Sequence, residues 1–219
     1  MNAFVVAGGQ STRMESDKAM LPLNGAPLIA HALELLRSLG LSPRICGSRP
    51  DLARFAEVIP DNYPQCGPLA GIEAALAVSD AELNLFLPVD LPLLHATFIQ
   101  WLVTRAEASE AVGTIPVIAD RPQPLCAVYS DRLLDGIHRS LAAGEYKVMK
   151  GIQTAAADLR EPVDLFDVEM IAATFGTGEW PSSPPIIECF RNVNTPADYE
   201  RLVHCHSGAT GAKGSHPIS

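Results

Sequence analysis

The chain has 219 residues, 47% of them hydrophobic and 19% charged, with a formal net charge of -9, which fits a globular protein and excludes the disordered class. That acidity argues against a nucleic acid partner, because a phosphate backbone needs a basic face, and no apolar run approaches the ~20 residues of a membrane span. The length suits one domain, expected over residues 1–206 with a disordered tail over 207–219, and a chain of this size buries roughly 70–75% of its unfolded surface without needing disulfides.

The N-terminal apolar run, Ala3 to Val6, reads as a buried strand with no basic leader before it. It empties into Ala7-Gly8-Gly9-Gln10-Ser11-Thr12-Arg13, followed by Asp17-Lys18. Paired glycines let a backbone approach a ligand closely. Successive N–H groups in such a loop form an anion-binding concavity. Arg13 adds a planar cationic fork and Lys18 a mobile point charge. A Walker A loop would need a glycine before Lys18, and a dinucleotide fingerprint would need Gly-x-Gly-x-x-Gly; neither is present.

Further along, Leu21-Pro22-Leu23 leads to a turn at Asn24-Gly25, and Pro27 suits the first position of a helix whose stripe is Leu28, Ile29, Ala32, Leu35, Leu36 and Leu39, ended by Gly40. Pro43 to Cys46 reads as a second strand, Asp51 to Glu57 as a short helix, and Val58-Ile59 as a third strand entering Pro60-Asp61. Cys66 to Gly71 is a tight loop opening a helix that carries Leu69, Ile72 and Leu76. Asn84 to Val89 is a fully apolar central strand after its first residue and stops at Asp90. A helix over Thr97 to Glu107 and a strand over Val112 to Ile118 follow.

Arg121-Pro122-Gln123-Pro124 reads as a loop, Leu125 to Tyr129 as a strand, Asp131 to Ala143 as a helix, and Pro162 to Val168 as a strand. Gly176 to Pro185 reads as a flexible connector, Cys189 to Val193 as a last strand, and Pro196 to His204 as a last helix capped by Thr195. Alternation of strand and helix at these lengths predicts an α/β fold: a three-layer, Rossmann-like, mostly parallel sheet with helices on both faces.

Ligands of open parallel sheets bind outside the carboxyl ends of the strands. The glycine loop, Asp61 and Asp90 all fall at such ends. Asp90 reads as a divalent-metal ligand ahead of a simple turn residue before Leu91-Pro92, since Mg²⁺ takes one or two protein carboxylates and completes its shell with phosphates and water. At Asp61 an ordinary turn, Pro60-Asp61-Asn62, is an equal reading. Asn192 and Asn194, at alternate strand positions, would share one face and could ligate a metal or grip a phosphate, although taken alone the segment reads as an Asn-rich strand end with an ordinary cap. The five cysteines contain no Cys-x-x-Cys and read as reduced, packed thiols of a cytoplasmic protein. His204-Cys205-His206 mimics a metal cluster but adjoins the polar tail.

Together, Ala7-Gly8-Gly9-x-Ser11-x-Arg13-Met14-x-x-Asp17-Lys18, Gly67-Pro68-Leu69-Ala70-Gly71, Pro88-Val89-Asp90-x-Pro92 and Asn192-Val193-Asn194-Thr195-Pro196 resemble the molybdenum cofactor guanylyltransferases (MobA), within the nucleotidyltransferases of nucleotide-diphospho-sugar-transferase fold. The resemblance implies transfer of GMP from GTP to Mo-molybdopterin, with Mg²⁺ as cofactor and transient contact with molybdenum cofactor enzymes or their chaperones. By the same resemblance Val6, Ala7, Gly8 and Gly9 would meet the nucleotide, with Arg13 and Lys18 at its phosphates. Asp61 would assist, Asp90 would bind Mg²⁺, and Gln123, Pro124, Lys147, Asn192 and Asn194 would face the pterin. Two positions depart from that pattern: Glu15, where the family usually has glycine, and Cys46, where it often has asparagine near the nucleotide. Two rival readings use the same scaffold, a cytidylyltransferase and a nucleotide-binding or molybdopterin-carrier protein without catalysis.

Overall fold

Strand β1 (Asn2–Val6) alternates its side chains between two cores. Ala3, Val5 and Ala7 enter one, and Phe4 and Val6 the other. This alternation, in a computed structural model describing residues 1–7, 17–174, 185–193, 195 and 197–202, makes β1 a central strand buried on both faces. The predicted positions Gly8, Gly9, Arg13, Glu15, Asn194, Pro196, the connector up to residue 184, Cys205 and the tail lie outside the described residues.

The remaining strands are β2 (Pro22–Leu23), β3 (Ala26–Pro27), β4 (Arg44–Cys46), β5 (Val58–Ile59), β6 (Leu83–Pro88), β7 (Gly113–Ile118), β8 (Arg121–Pro122), β9 (Ala127–Ser130) and β10 (Val163–Asp167). The main sheet runs β10-β7-β9-β6-β1-β4-β5, with β8 paired to β7. β1 is parallel to β4 and β6, β4 to β5, and β7 to β10, whereas β9 runs antiparallel between β6 and β7. Only β8 and β9 therefore oppose the common direction, and the carboxyl ends of β1, β4, β5, β6 and β7 share one edge. The expected α/β sheet is thus present. β2 and β3 form a separate hairpin, turned through Asn24 (φ 49) and Gly25 (φ 84), a pairing with positive φ that suits the sequence Asn-Gly.

Helices cover both faces. α1 (Leu28–Ser38) and α3 (Ala96–Ala108) pack on the face of Ala3 and Val5. α2 (Pro68–Ala77), α4 (Leu134–Ala142) and α5 (Val148–Leu159) pack on the face of Phe4 and Val6. α6 (Val168–Thr174) and the short α7 (Ile186–Cys189) follow β10. A last helix over residues 197–202 brings Leu202 against Leu23, Leu28 and Val193, and the Tyr199 hydroxyl donates to the Pro22 carbonyl. The end of the described chain is thereby fastened to the β2–β3 hairpin.

Several expected elements differ. The helix expected over Asp51 to Glu57 is only a 3₁₀ turn over Pro50–Leu52, because Leu52 alone of that stretch is fully buried and no apolar stripe extends it. Pro27 precedes α1 as its cap rather than opening it. Arg121 and Pro122, expected in a loop, form β8; the turn at Ala119 and Asp120, both at positive φ, folds them back on β7. The helix expected from Asp131 begins with a 3₁₀ turn, Asp131–Leu133, capped by Ser130. The strand expected over Cys189 to Val193 is absent. Cys189 closes α7, and the Val193 N–H donates to the Asp90 carbonyl at 3.1 Å, so this segment pairs with a loop and has no strand neighbour.

The largest omission is α5. Its buried face is Gly151, Ile152, Ala155 and Ala156, mostly small residues. Small residues are what the site requires: a Cβ on Gly136 of α4 would lie 2.4 Å from the Ala155 Cβ. The two helices approach so closely that only glycine fits at that crossing. This contact sets α5, and Lys147 at its N-terminal cap, against the sheet.

Candidate active site

β1 delivers Val6 and Ala7, both buried, to the carboxyl edge. The Ala7 N–H donates to the Cys46 carbonyl at 3.1 Å, and the Val6 carbonyl accepts from Val89 at 3.4 Å. With their side chains packed, these two residues can meet a ligand only through backbone. Past the undescribed segment, the chain returns at Asp17. One oxygen of Asp17 accepts the Ala19 N–H at 3.1 Å and caps a 3₁₀ turn over Lys18–Met20.

That turn aims Lys18 at Asp90, on the loop leaving β6. The ammonium lies 3.6 Å from the Asp90 carboxylate, and both side chains are 21% exposed. Burial pushes the Asp90 carboxyl above its ordinary value, and the Lys18 charge offsets part of that rise. A largely desolvated carboxylate facing a single ammonium is a poor structural ion pair and a suitable hard oxygen ligand for a divalent cation. Among the described residues no group of three or more His, Cys, Asp or Glu surrounds it. It fits an ion that shares its shell with substrate phosphates.

A cleft of about 470 Å³ opens beside this pair, lined in part by Asp90, Gln123, Tyr146, Lys147, Met149 and Asn192, within the volume range of small-molecule sites. Gln123, Lys147 and Asn192, distant in the sequence and expected on one substrate, thus share one wall system. Each is held by a separate device. The Gln123 N–H donates to the Pro116 carbonyl of β7 at 2.8 Å, and the buried Tyr129 hydroxyl donates to the Pro124 carbonyl at 2.7 Å. Asn192 is held by the Val193–Asp90 backbone bond, not by the strand expected for it. Tyr146, 48% exposed, was not anticipated; its position beside Lys147 was the only available signal.

Asp61, at the end of β5, does not line this cleft. One of its oxygens accepts the Ser48 hydroxyl at 3.3 Å, and its own N–H donates to that hydroxyl at 3.2 Å. The other oxygen is buried with no hydrogen-bond partner among the described residues, 3.4 Å from where a Cβ on Gly71 would lie. Burial raises the Asp61 carboxyl above its ordinary value, the Ser48 hydrogen bonds oppose this, and the charge of Glu73 adds to it. Glu73, on α2 and 3% exposed, accepts from the Asn62 amide at 3.0 Å and lies 3.3 Å from the His138 ring, which in turn meets the Tyr63 hydroxyl. This network ties the Asp61 loop to α2 and α4. The sequence reading treated α2 as an apolar stripe and passed over Glu73.

A raised carboxyl has a defined sign. The folded state holds its proton to higher pH than the unfolded chain, so an ionised Asp61 weakens the fold increasingly as pH rises above 3.8, and the effect vanishes below that value. Asp61→Asn is therefore expected to raise the melting temperature of the ligand-free protein at pH 7, with the gain shrinking as the pH approaches 3.8. Melting curves across pH test this; a lower melting temperature at pH 7, or a pH-independent difference, would contradict it.

Cys46 is fully buried, and its thiol donates to the Val5 carbonyl at 3.6 Å. It fills the sheet interior beneath the site and offers no side-chain surface to a nucleotide. The loop after β4 was also underread. Ser48 holds Asp61, and the next residue, Arg49, holds Asp17 through two contacts, Nη1–Oδ1 at 3.1 Å and Nη2–Oδ2 at 2.5 Å. The strand-end rule, applied to β4, was the signal that could have found both.

Comparison with known proteins points the same way. Residues 3–159 match the family described as MobA-like NTP transferase domain. The chain is 31% identical, over 91% of its length and 93% of theirs, to the molybdenum cofactor guanylyltransferase of Xanthomonas euvesicatoria pv. vesicatoria. It is similar to the crystal structure of molybdopterin-guanine dinucleotide biosynthesis protein A from Archaeoglobus fulgidus, with a TM-score of 0.75 and 25% identity, covering 95% of this chain and 100% of that one. The fold also matches 4-diphosphocytidyl-2C-methyl-D-erythritol synthase from Anaerococcus prevotii, with a TM-score of 0.64 at 11% identity over 94% of this chain and 97% of that one.

Proposed function

The chain belongs to the MobA-like NTP transferase domain family and is a nucleotidyltransferase, and from that premise we propose that it transfers GMP from GTP to Mo-molybdopterin in the cytoplasm. The products are molybdopterin guanine dinucleotide and pyrophosphate. The observation that carries this reading is the Lys18–Asp90 pair at 3.6 Å, at the mouth of a cleft lined by Gln123, Lys147 and Asn192. A cation and a metal-competent carboxylate stand where the triphosphate would lie, with a second polar pocket beside them for an acceptor.

In the reaction the terminal phosphate oxygen of molybdopterin attacks the α-phosphorus of GTP, and the bond from that phosphorus to pyrophosphate breaks. The nucleophile is already an anion, so no general base is needed. The barrier is the approach of one polyanion to another. Lys18 and Arg13 oppose that repulsion and stabilise the charge growing on the leaving pyrophosphate. Asp90 would hold Mg²⁺, which when bound supplies Lewis-acid neutralisation of phosphate oxygens. Lys147, Gln123, Asn192 and Asn194 orient the acceptor, and Val6, Ala7, Gly8, Gly9 and Asp61 seat the nucleotide.

Pyrophosphate release, measured with GTP, CTP and ATP in the presence of Mg²⁺ and purified molybdopterin cofactor, tests the reading. GTP is expected to be the preferred donor, and release is expected to require the acceptor. Preference for CTP would make the protein a cytidylyltransferase. Nucleotide binding with no release would make it a binding or carrier protein.

A further inference from the structure

Arg49 sits between two carboxylates. Besides its paired contacts to Asp17, its guanidinium reaches Asp51 through Nε–Oδ1 at 2.9 Å and Nη2–Oδ2 at 2.7 Å. The Asp51 side chain is 55% exposed and the Asp17 side chain 40%, while that of Arg49 is 23% exposed. Ion pairs as open to water as these add little to global stability. The geometry is nonetheless a fork gripping a carboxylate with two nitrogens, which specifies orientation as well as charge.

Both ends of the contact are constrained. The Arg49 backbone precedes Pro50, which restricts its conformation, and its carbonyl accepts the N–H of the fully buried Leu52 at 3.0 Å. Its own N–H donates to the Gly47 carbonyl at 2.8 Å, while Gly47, at φ 129, donates to the Ile59 carbonyl of β5 at 3.1 Å. On the other side, Asp17 immediately precedes Lys18 and caps its turn. The sheet core thus reaches Lys18 through Leu52, Arg49 and Asp17.

We propose that Arg49 is a positioning residue for nucleotidyl transfer, holding Asp17 so that the Lys18 ammonium stays aimed at the Asp90 site, and neutralising the Asp17 carboxylate beside an incoming triphosphate. This rests on the reading of Lys18 as a phosphate-binding group. Without the guanidinium, Asp17 would present an uncompensated negative charge one residue from Lys18, and the turn would lose its link to β4. Lysine cannot replace the fork, because its single nitrogen cannot span both oxygens.

The test uses the full chain with R49A, R49K and D51N, reading thermal midpoint, amide hydrogen exchange over residues 17–21, and kcat and KM for GTP with Mg²⁺ and purified molybdopterin cofactor. Both Arg49 variants are expected to exchange faster over that segment and to lose about 10–100-fold in kcat, the scale of a small misplacement of a reacting group, while melting close to wild type. D51N, which removes only the outer partner's charge, is expected to behave as wild type. A merely structural arginine would instead lower the midpoint and leave kcat within about threefold, and that result overturns the proposal. Unchanged exchange over residues 17–21 in R49A also overturns it. If the wild-type protein releases no pyrophosphate from any triphosphate, the proposed reaction fails, while the exchange measurement still decides whether Arg49 holds the Lys18 turn.

Discussion

Asp90→Ala is expected to lower kcat for pyrophosphate release at least ~100-fold, the scale of losing one preorganised electrostatic group, with Asp90→Asn close behind. The backbone bond from Val193 to the Asp90 carbonyl does not depend on the side chain, so the loop and its hold on Asn192 survive in both variants. Asparagine retains the volume and removes the charge. Because burial raises the Asp90 carboxyl, its ionised form is a cost to the ligand-free fold, and Asp90→Asn is expected to melt no lower than wild type at neutral pH. The same shift sets the sign of the pH dependence. The carboxylate must be ionised to hold a cation, so activity is expected to fall as pH drops through a range above the ordinary 3.8. Turnover across Mg²⁺ concentrations and pH measures both. An asparagine variant that turns over within a few-fold of wild type would remove Asp90 from the mechanism.

Lys18→Ala is the second large effect, again expected at ~100-fold or more in kcat/KM. Lys18 opens a turn already capped by Asp17, and alanine suits that backbone, so the loss is one of charge and not of folding. Lys18→Arg is expected to recover little, since a planar fork at the end of a different stem cannot occupy the position of a point charge. Removing the ammonium also leaves the half-buried Asp90 carboxylate without its neighbour at 3.6 Å. The Asp90 carboxyl would then rise further, and part of the Lys18→Ala loss would be a loss at Asp90. The double variant is therefore expected to fall well short of the product of the single losses, as for groups that act as a unit. Calorimetric titration of Mg²⁺ and GTP, alongside kinetics, separates binding from turnover. Full additivity would mean that the two groups work independently, against the arrangement described here.

These effects could be anticipated because the residues concerned lie next to strong local signals. β1 and β6 carry apolar runs, Ala3 to Ala7 and Leu85 to Val89, that end abruptly in a glycine pair and in an aspartate, and a strand end in a parallel sheet is a chemical address. The loop after β4 carries the same address, yet Ser48 and Arg49 were passed over. Their importance lies in partners 13 and 32 residues away, and no local pattern encodes those partners. Glu73 escaped notice for a related reason: helix periodicity marks it as a core position, and only the approach of Asn62 and His138 makes a buried carboxylate tolerable there. α5 was missed although its apolar residues Val148, Ile152, Ala155, Ala156 and Leu159 fall at helical spacing; what no local pattern encodes is that Gly136 and Ala155 let α4 and α5 meet so closely.

The amino-acid sequence by itself determined the alternation of strands and helices, the glycine-rich and cationic composition of the first crossover, the candidacy of Lys18 and Asp90, and the resemblance to a nucleotidyltransferase family. Each is a property of residues adjacent in the chain, where backbone preference and hydrophobic period act. The tertiary structure alone decided that Lys18 faces Asp90, that Gln123, Lys147 and Asn192 line one cleft, that Asn192 leaves a loop rather than a strand, and that Arg49 pairs with Asp17 at the turn bearing Lys18. Those are meetings of distant segments, set by sheet order and by how closely helices can pack, and they depend on the summed burial of the whole core rather than on any one stretch of it.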